Sequence, residues 1–152
     1  MSAEATTTPA EASRAPNVIR AVWDGAHRFD STRGDGRGPL RLDGSAETGQ
    51  TPPDALLSAL AACSGIDVVD ILAKRRTPVE RLAIEVSATR RAEQPRRFER
   101  IAITYEIDGT GIERVHAERA VQLAFEKYCS VAATFAPDIP VETVVVLNGG
   151  RG

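Results

Sequence analysis

The chain has 152 residues and a mass of 16.3 kDa, which suits one domain of ordinary size. Hydrophobic residues make up 42% and aromatics only 5%, so the core must be filled by aliphatic side chains. The formal charge of -2 and pI near 5.7 exclude a general attraction to nucleic acid or anionic lipid.

The start, MSAEATTTPAEASRAP, has neither the basic nor the apolar segment of a secretion signal, and its Ala, Thr, Glu and Pro content predicts a disordered tail over 1–16. A single domain is expected over 17–148, with 149–152 as a short C-terminal tail. The longest uncharged apolar run, 55–66, is too short to span a bilayer and is followed by Asp67 and Asp70. The expectation is a cytoplasmic protein with no membrane or nucleic-acid partner. That compartment disfavours a permanent disulfide and allows a transient, catalytic one.

Along the chain, NVIRAVW (17–23) reads as a strand, and HRFD (27–30) continues it or pairs with it. STRGDGRGP (31–39) reads as a turn or flexible loop, and PLRLD as another short strand. Thr51-Pro52-Pro53-Asp54 then opens a helix: a capping threonine, a proline at the first helical position, and a carboxylate that complements the positive dipole end. This helix runs through ALLSALAACSGIDVVDILAKRR, and its half from Ala55 to Cys63 is apolar all round. Such a helix needs cover on every side, more than a chain this short can give, so a dimer with two copies packed centrally is expected. Ser64-Gly65 marks close packing or a bend.

RLAIEVSATR (81–90) and RIAITYEID (100–108) alternate apolar and polar residues with strand period, joined by a hairpin connection. A second helix is predicted over GIERVHAERAVQLAFEKY, with Ala117, Val121, Ala124 and Tyr128 as its inward stripe. A short helix, VAATF, follows with Ser130 as a cap, and VETVVVL supplies a last strand. Strands, a helix, a hairpin, a helix and a final strand add up to an α+β domain.

Chemistry centres on the only two cysteines, Cys63 in ALAACSGID and Cys129 in EKYCSVAATF. One reading is packing, since free cysteine is commonly buried as a small hydrophobe. The other is a reactive thiol pair. An ordinary thiol, with a pKa of about 8.5, is scarcely ionised at neutral pH, so reactivity calls for a cation or a helix N-terminus. Cys129 has the second of these, whereas Asp67, one helical turn beyond Cys63, would oppose ionisation there. His27 and His116 could join the cysteines in a zinc set, but no short ligand spacing exists. They read instead as a strand-end surface residue and a partly buried helix residue. No GxSxG elbow is present, and GDGRG (34–38) lacks the strand–turn–helix setting of a phosphate loop. The arginines at 90, 91, 96, 97 and 100 read as a solvated hairpin, and Phe98 alone is a poor basis for base stacking. No metal and no cofactor is expected.

TPPDALLSALAACSGIDVVDILAKRR, followed much later by FEKYCSVAATF, resembles the OsmC/Ohr family, which includes organic hydroperoxide reductases. The resemblance covers about residues 17–147. It implies an intertwined α+β homodimer, with antiparallel sheets packed around long central helices. It also implies a thiol peroxidase. Cys63 would attack the terminal oxygen of an organic hydroperoxide and become a sulfenic acid, and Cys129 would resolve it to a disulfide. A dithiol reductant, such as the lipoyl group used by relatives, would restore both thiols. In the family an arginine of the early strand–loop region holds the thiolate, positioned by an acidic residue at the start of the first helix. Arg28 is the choice here, with Arg33 and Arg37 as loop alternatives. The family's carboxylate falls where Pro53 stands, and Asp54 is one residue later, where it suits a helix cap. Ser130 follows Cys129 where many relatives carry proline. These departures match a less characterised branch. An apolar pocket of Leu56, Leu60 and Phe135 around Cys63 would favour organic oxidants. The alternatives are a non-catalytic small-molecule binding protein and a ligand-free stress protein on the same scaffold.

Overall fold

The computed structural model describes residues 15–151, the last by its backbone only. Most of the tail expected over 1–16 lies outside the described residues. What is described falls into two compact units, one ending at Thr51 and the other beginning at Pro52.

The N-terminal unit is an antiparallel meander of β1 (Ile19–Trp23), β2 (Arg28–Arg33) and β3 (Leu40–Asp43). The turn from β1 to β2 places Gly25 at φ +82° and Ala26 at φ +46°, the paired left-handed conformations of a tight hairpin. β2 pairs with β1 and takes Ser31, Thr32 and Arg33 out of the loop expected from 31, because Ser31 and Arg33 sit opposite Ala21 and Ile19. Period-two alternation puts Ile19, Trp23, Phe29 and Leu40 on one face, all exposed. On the other face Arg41 binds Asp30 through two nitrogens at 2.6 and 2.7 Å, and Asp24 at 2.6 Å. After β3, buried Asp43 organises the chain: its carboxylate accepts from the Ser45 N–H at 2.9 Å, the Thr48 N–H at 3.0 Å and the Thr48 hydroxyl at 2.8 Å.

The C-terminal unit places helices on one face of a four-stranded sheet. Helix α1 (Pro52–Lys74) leads into β4 (Arg81–Arg90) and β5 (Phe98–Asp108). Then come α2 (Arg114–Leu123), a π-helical turn (Ala124–Tyr128), the short α3 (Ser130–Thr134), β6 (Val141–Leu147) and the two-residue β7 (Gly150–Arg151) within the expected C-terminal tail. β4 and β5 pair antiparallel as the alternation predicts. β6 pairs parallel to β5, unlike the antiparallel arrangement expected, because the helical crossover from 109 to 140 returns the chain to the same end of the sheet. The odd residues of β5, Ile101, Ile103, Tyr105 and Ile107, are fully buried and meet Leu60, Val68 and Leu72 of α1 in one core.

α1 is long and apolar enough to cross a membrane by length and composition, but the burial of Leu60, Val68 and Leu72 makes it a core helix. Gly65 packs closely on the sheet: a Cβ there would lie 2.7 Å from Cδ1 of Ile84, so close packing explains the glycine. The rest of α1 is less covered than its apolar sequence predicts, and Leu56, Ile66 and Val69 are exposed in the single chain.

Candidate active site

The 66-residue gap between the cysteines closes where α1 meets the end of the π-helical turn. A sulfur from each of Cys63 and Cys129 and a carboxylate oxygen of Asp67 all lie within 4.8 Å of one another. Both cysteines are free thiols, Cys63 half-buried and Cys129 buried. The local chain path explains the meeting. Asp67 follows Cys63 by four residues, so the helix stacks its carboxylate over the thiol on one face. The second helix was expected to run unbroken to Tyr128. Instead, the N–H of Cys129 donates to the carbonyl of Ala124 at 2.7 Å, five residues back. This wider turn shifts the phase of the helix. Ala117, Val121 and Ala124 are buried as predicted, but Tyr128 leaves the stripe and is exposed, while Cys129 turns inward.

Cys129, not Ser130, caps α3: its backbone is extended and its sulfur accepts from the Ala132 N–H at 3.4 Å. The cap does not activate it. Burial pushes the Cys129 thiol up to about 11, the Ala132 N–H opposes this, and the neighbouring Cys63 raises it further. Burial also raises the carboxyl of Asp67, assisted by the negative charge of Asp70, and Oδ2 of Asp67 has no hydrogen-bond partner among the described residues. Beneath the trio, the Tyr105 hydroxyl lies 2.7 Å from Ser64 Oγ, and Ser64 donates to the Leu60 carbonyl at 2.9 Å. Burial raises Tyr105 to about 12, Ser64 offsets part of this, and Cys129 and Asp67 add to it.

A cavity of about 400 Å³ opens beside Asp67, between α1 and α2. Ile71, Leu123 and Tyr128 line it, and Lys74, Arg75 and Arg119 also contribute. His116 does not join the cysteines, as the zinc reading would require. It is half-buried on α2, with Nε2 at 2.6 Å from Arg75 and Nδ1 at 3.6 Å from Glu113. The trio is the one gathering of metal-binding atom types among the described residues. With burial holding the Cys129 thiol protonated and no imidazole beside the sulfurs among the described residues, the trio does not fit a metal.

The other residues singled out from sequence are distributed as follows. Asp54 is exposed in the first turn of α1, nine residues before Cys63, about 13 Å along the axis at ~1.5 Å per residue. From there it can act on the thiol only through another group. Arg28, Arg33 and Arg37 belong to the N-terminal unit: Arg28 is half-buried in β2, and Arg37 pairs with Asp35 at 2.7 Å. Of the apolar pocket expected at Cys63, Leu60 is in the core, Phe135 packs on Phe98 with ring centroids 6.5 Å apart, and Leu56 is 52% exposed. Phe98 is a core residue. The hairpin arginines are solvated, with Arg97 on Asp138 and Arg100 on Glu142. Two contributors to the site, Ser64 and Tyr105, were not singled out from sequence for any chemistry. Asp67 was noted there only as an obstacle.

Residues 44–144 match the family of OsmC-like proteins. The chain belongs to that family. Among curated relatives of this OsmC-like protein, protein YhfA of Escherichia coli K12 is 38% identical over 94 residues, 61% of this chain and 70% of YhfA. Among solved structures, a hypothetical protein of Aquifex aeolicus superposes with a TM-score of 0.76 at 30% identity, over 89% of this chain and 99% of its own. The organic hydroperoxide resistance protein OhrB of Bacillus subtilis shares the fold, with a TM-score of 0.59 at 19% identity over 86% and 97% of the two chains.

Proposed function

We propose that this OsmC-like protein is a thiol peroxidase that reduces organic hydroperoxides to alcohols. The observation that carries the reading is the approach of two sulfurs from distant parts of the chain, both free thiols, to within 4.8 Å. Cys63, the less buried, is the attacking residue: its sulfur takes the terminal oxygen of ROOH, the O–O bond breaks, and the alkoxide leaves as ROH. Cys129 then attacks the Cys63 sulfenic acid, an S–S bond forms, and water departs. Two electrons come from the thiol pair, and a dithiol such as a lipoyl group restores it. Arg28, or Arg33 or Arg37 from the same unit, would hold the Cys63 thiolate, with Asp54 positioning that guanidinium. Family members named for hydroperoxide resistance support the reading. A homodimer belongs to it, supported by the uncovered apolar sides of α1 and the meander, and the reading places that dimer in the cytoplasm.

The competing reading is a non-catalytic small-molecule binding protein, favoured by a Cys129 thiol that burial holds protonated. Treating the reduced protein with one equivalent of cumene hydroperoxide and counting thiols separates the two. The enzyme loses both thiols rapidly to a Cys63–Cys129 disulfide. Cys63→Ser abolishes the reaction, and Cys129→Ser leaves a persistent sulfenic acid. Thiols that survive for minutes would leave only the binding protein. Equal turnover of hydrogen peroxide would remove the preference for organic substrates.

A further inference from the structure

Resolution of a sulfenic acid poses a proton problem at this site. Cys129 must lose its proton to attack, and the hydroxide it displaces from Cys63 must gain one. We propose that Asp67 carries that proton, taking it from Cys129 as the S–S bond forms and giving it to the departing hydroxide, which leaves as water. The inference rests on the peroxidase reading and assigns its second step. The carboxylate returns to its starting state, so the step needs no further reactant: Cys63–SOH and Cys129–SH become a disulfide and water.

Geometry selects Asp67. Its carboxylate is within 4.8 Å of both sulfurs, and Oδ2 is buried with no hydrogen-bond partner among the described residues. An orphaned carboxylate oxygen beside a thiol is a proton acceptor already in place. Its raised carboxyl basicity narrows the gap to the thiol it must deprotonate. The other groups near it are unsuited. The Tyr105 phenol is hydrogen-bonded to Ser64 and stays protonated until about pH 12. On α1, Asp70 and Lys74 are exposed, and Tyr128 at the end of the π-helical turn is exposed too. Of the cations by the cavity, Arg75 is against His116, and Arg119 pairs with Glu126 at 3.4 Å.

The test follows sulfenic acid and disulfide separately in a single turnover with cumene hydroperoxide, from pH 6 to 10. Asp67→Asn is expected to lengthen the life of the sulfenic acid at pH 7 about a hundredfold, the low end of what a positioned base contributes. Closure should recover as pH rises and Cys129 ionises without help. Asp67→Glu should restore closure at neutral pH, a rescue that a purely structural role would not give. A Cys129→Ser control holds its sulfenic acid at every pH. If Asp67→Asn, folded by its thermal melt, closes the disulfide at the unmodified rate with the same pH profile, the proton-carrier role is overturned while the peroxidase reading stands. If the unmodified protein forms no sulfenic acid or disulfide, both are overturned.

Discussion

Ser64 Oγ and the Tyr105 hydroxyl lie 2.7 Å apart at the base of the thiol pair, joining α1 to β5, an inner strand of the sheet, through a contact 41 residues apart in sequence. The two partners are not equivalent. Ser64 retains the Leu60 carbonyl when the phenol is removed, whereas the buried Tyr105 hydroxyl has only Ser64 among the described residues. Tyr105→Phe should therefore cost about 0.5–1.5 kcal/mol and Ser64→Ala about 1–3 kcal/mol, because only the second strands a buried polar group. Urea unfolding of both variants checks the order, and a larger loss for Tyr105→Phe would contradict it.

The same burial predicts alkaline behaviour. Tyr105 is raised to about 12 and Cys129 to about 11, each chiefly by loss of solvent. For an acid whose folded pKa is raised, the stabilisation is complete below the unfolded value and lost as pH climbs through the folded one. Stability should hold to about pH 9, near the ordinary thiol value, and fall through 11 and 12. In a Tyr128→Phe variant, phenolate absorbance reports Tyr105 alone, and its onset should coincide with loss of near-ultraviolet circular dichroism. Ionisation near pH 10 with the fold intact would contradict the burial.

Asp43 gives the opposite sign. The Ser45 N–H first, then the Thr48 hydroxyl, hold its carboxyl down at about 2. A lowered folded pKa contributes stability above the unfolded value and loses it as pH falls through the folded one, so the N-terminal unit should weaken between about pH 4 and 2. Asp43→Asn turns one acceptor oxygen into a donor facing the N–H groups of the 43–48 turn. It should lower the melting temperature at pH 7 and flatten its dependence below pH 4. A variant that melts like the unmodified protein at both pH values would show that the turn does not depend on this carboxylate.

Much of this architecture was legible because it rests on short-range rules. Pro52 after Thr51 starts α1, and alternation marks β4 and β5. The proximity of Cys63 and Cys129 came from family resemblance, not from the residues, since a contact across 66 positions has no local signature. The π-helical turn was hidden for a related reason. AFEKY has nothing to distinguish it from α-helix, and the wide turn is settled by Cys129 finding the core. Asp67 was visible at four residues from Cys63. Its role was not, because whether it opposes ionisation or moves a proton depends on Cys129, which only the fold supplies.

α1 carries the last prediction. Its inward residues Leu60, Val68 and Leu72 are sealed by the sheet, while Ile66 is 62% and Leu56 52% exposed on the same helix. An open groove of about 680 Å³ runs along this side, lined by Ala61, Ala62, Gly65, Ile66 and Leu82. Small residues at 61 and 62 let a second backbone approach closely, and water against a helix this apolar is unfavourable at about 25 cal/mol per Å². A second copy of α1 fits that demand better than solvent. Light scattering at micromolar concentration should give twice the 16.3 kDa chain mass. Ile66→Glu should shift the population toward monomer and lower the melting temperature, since a carboxylate in a two-fold contact meets its own copy. A monomeric unmodified protein would remove the dimer from the proposed function. It would also leave the exposure of Leu56 and Ile66 to be explained by a different partner.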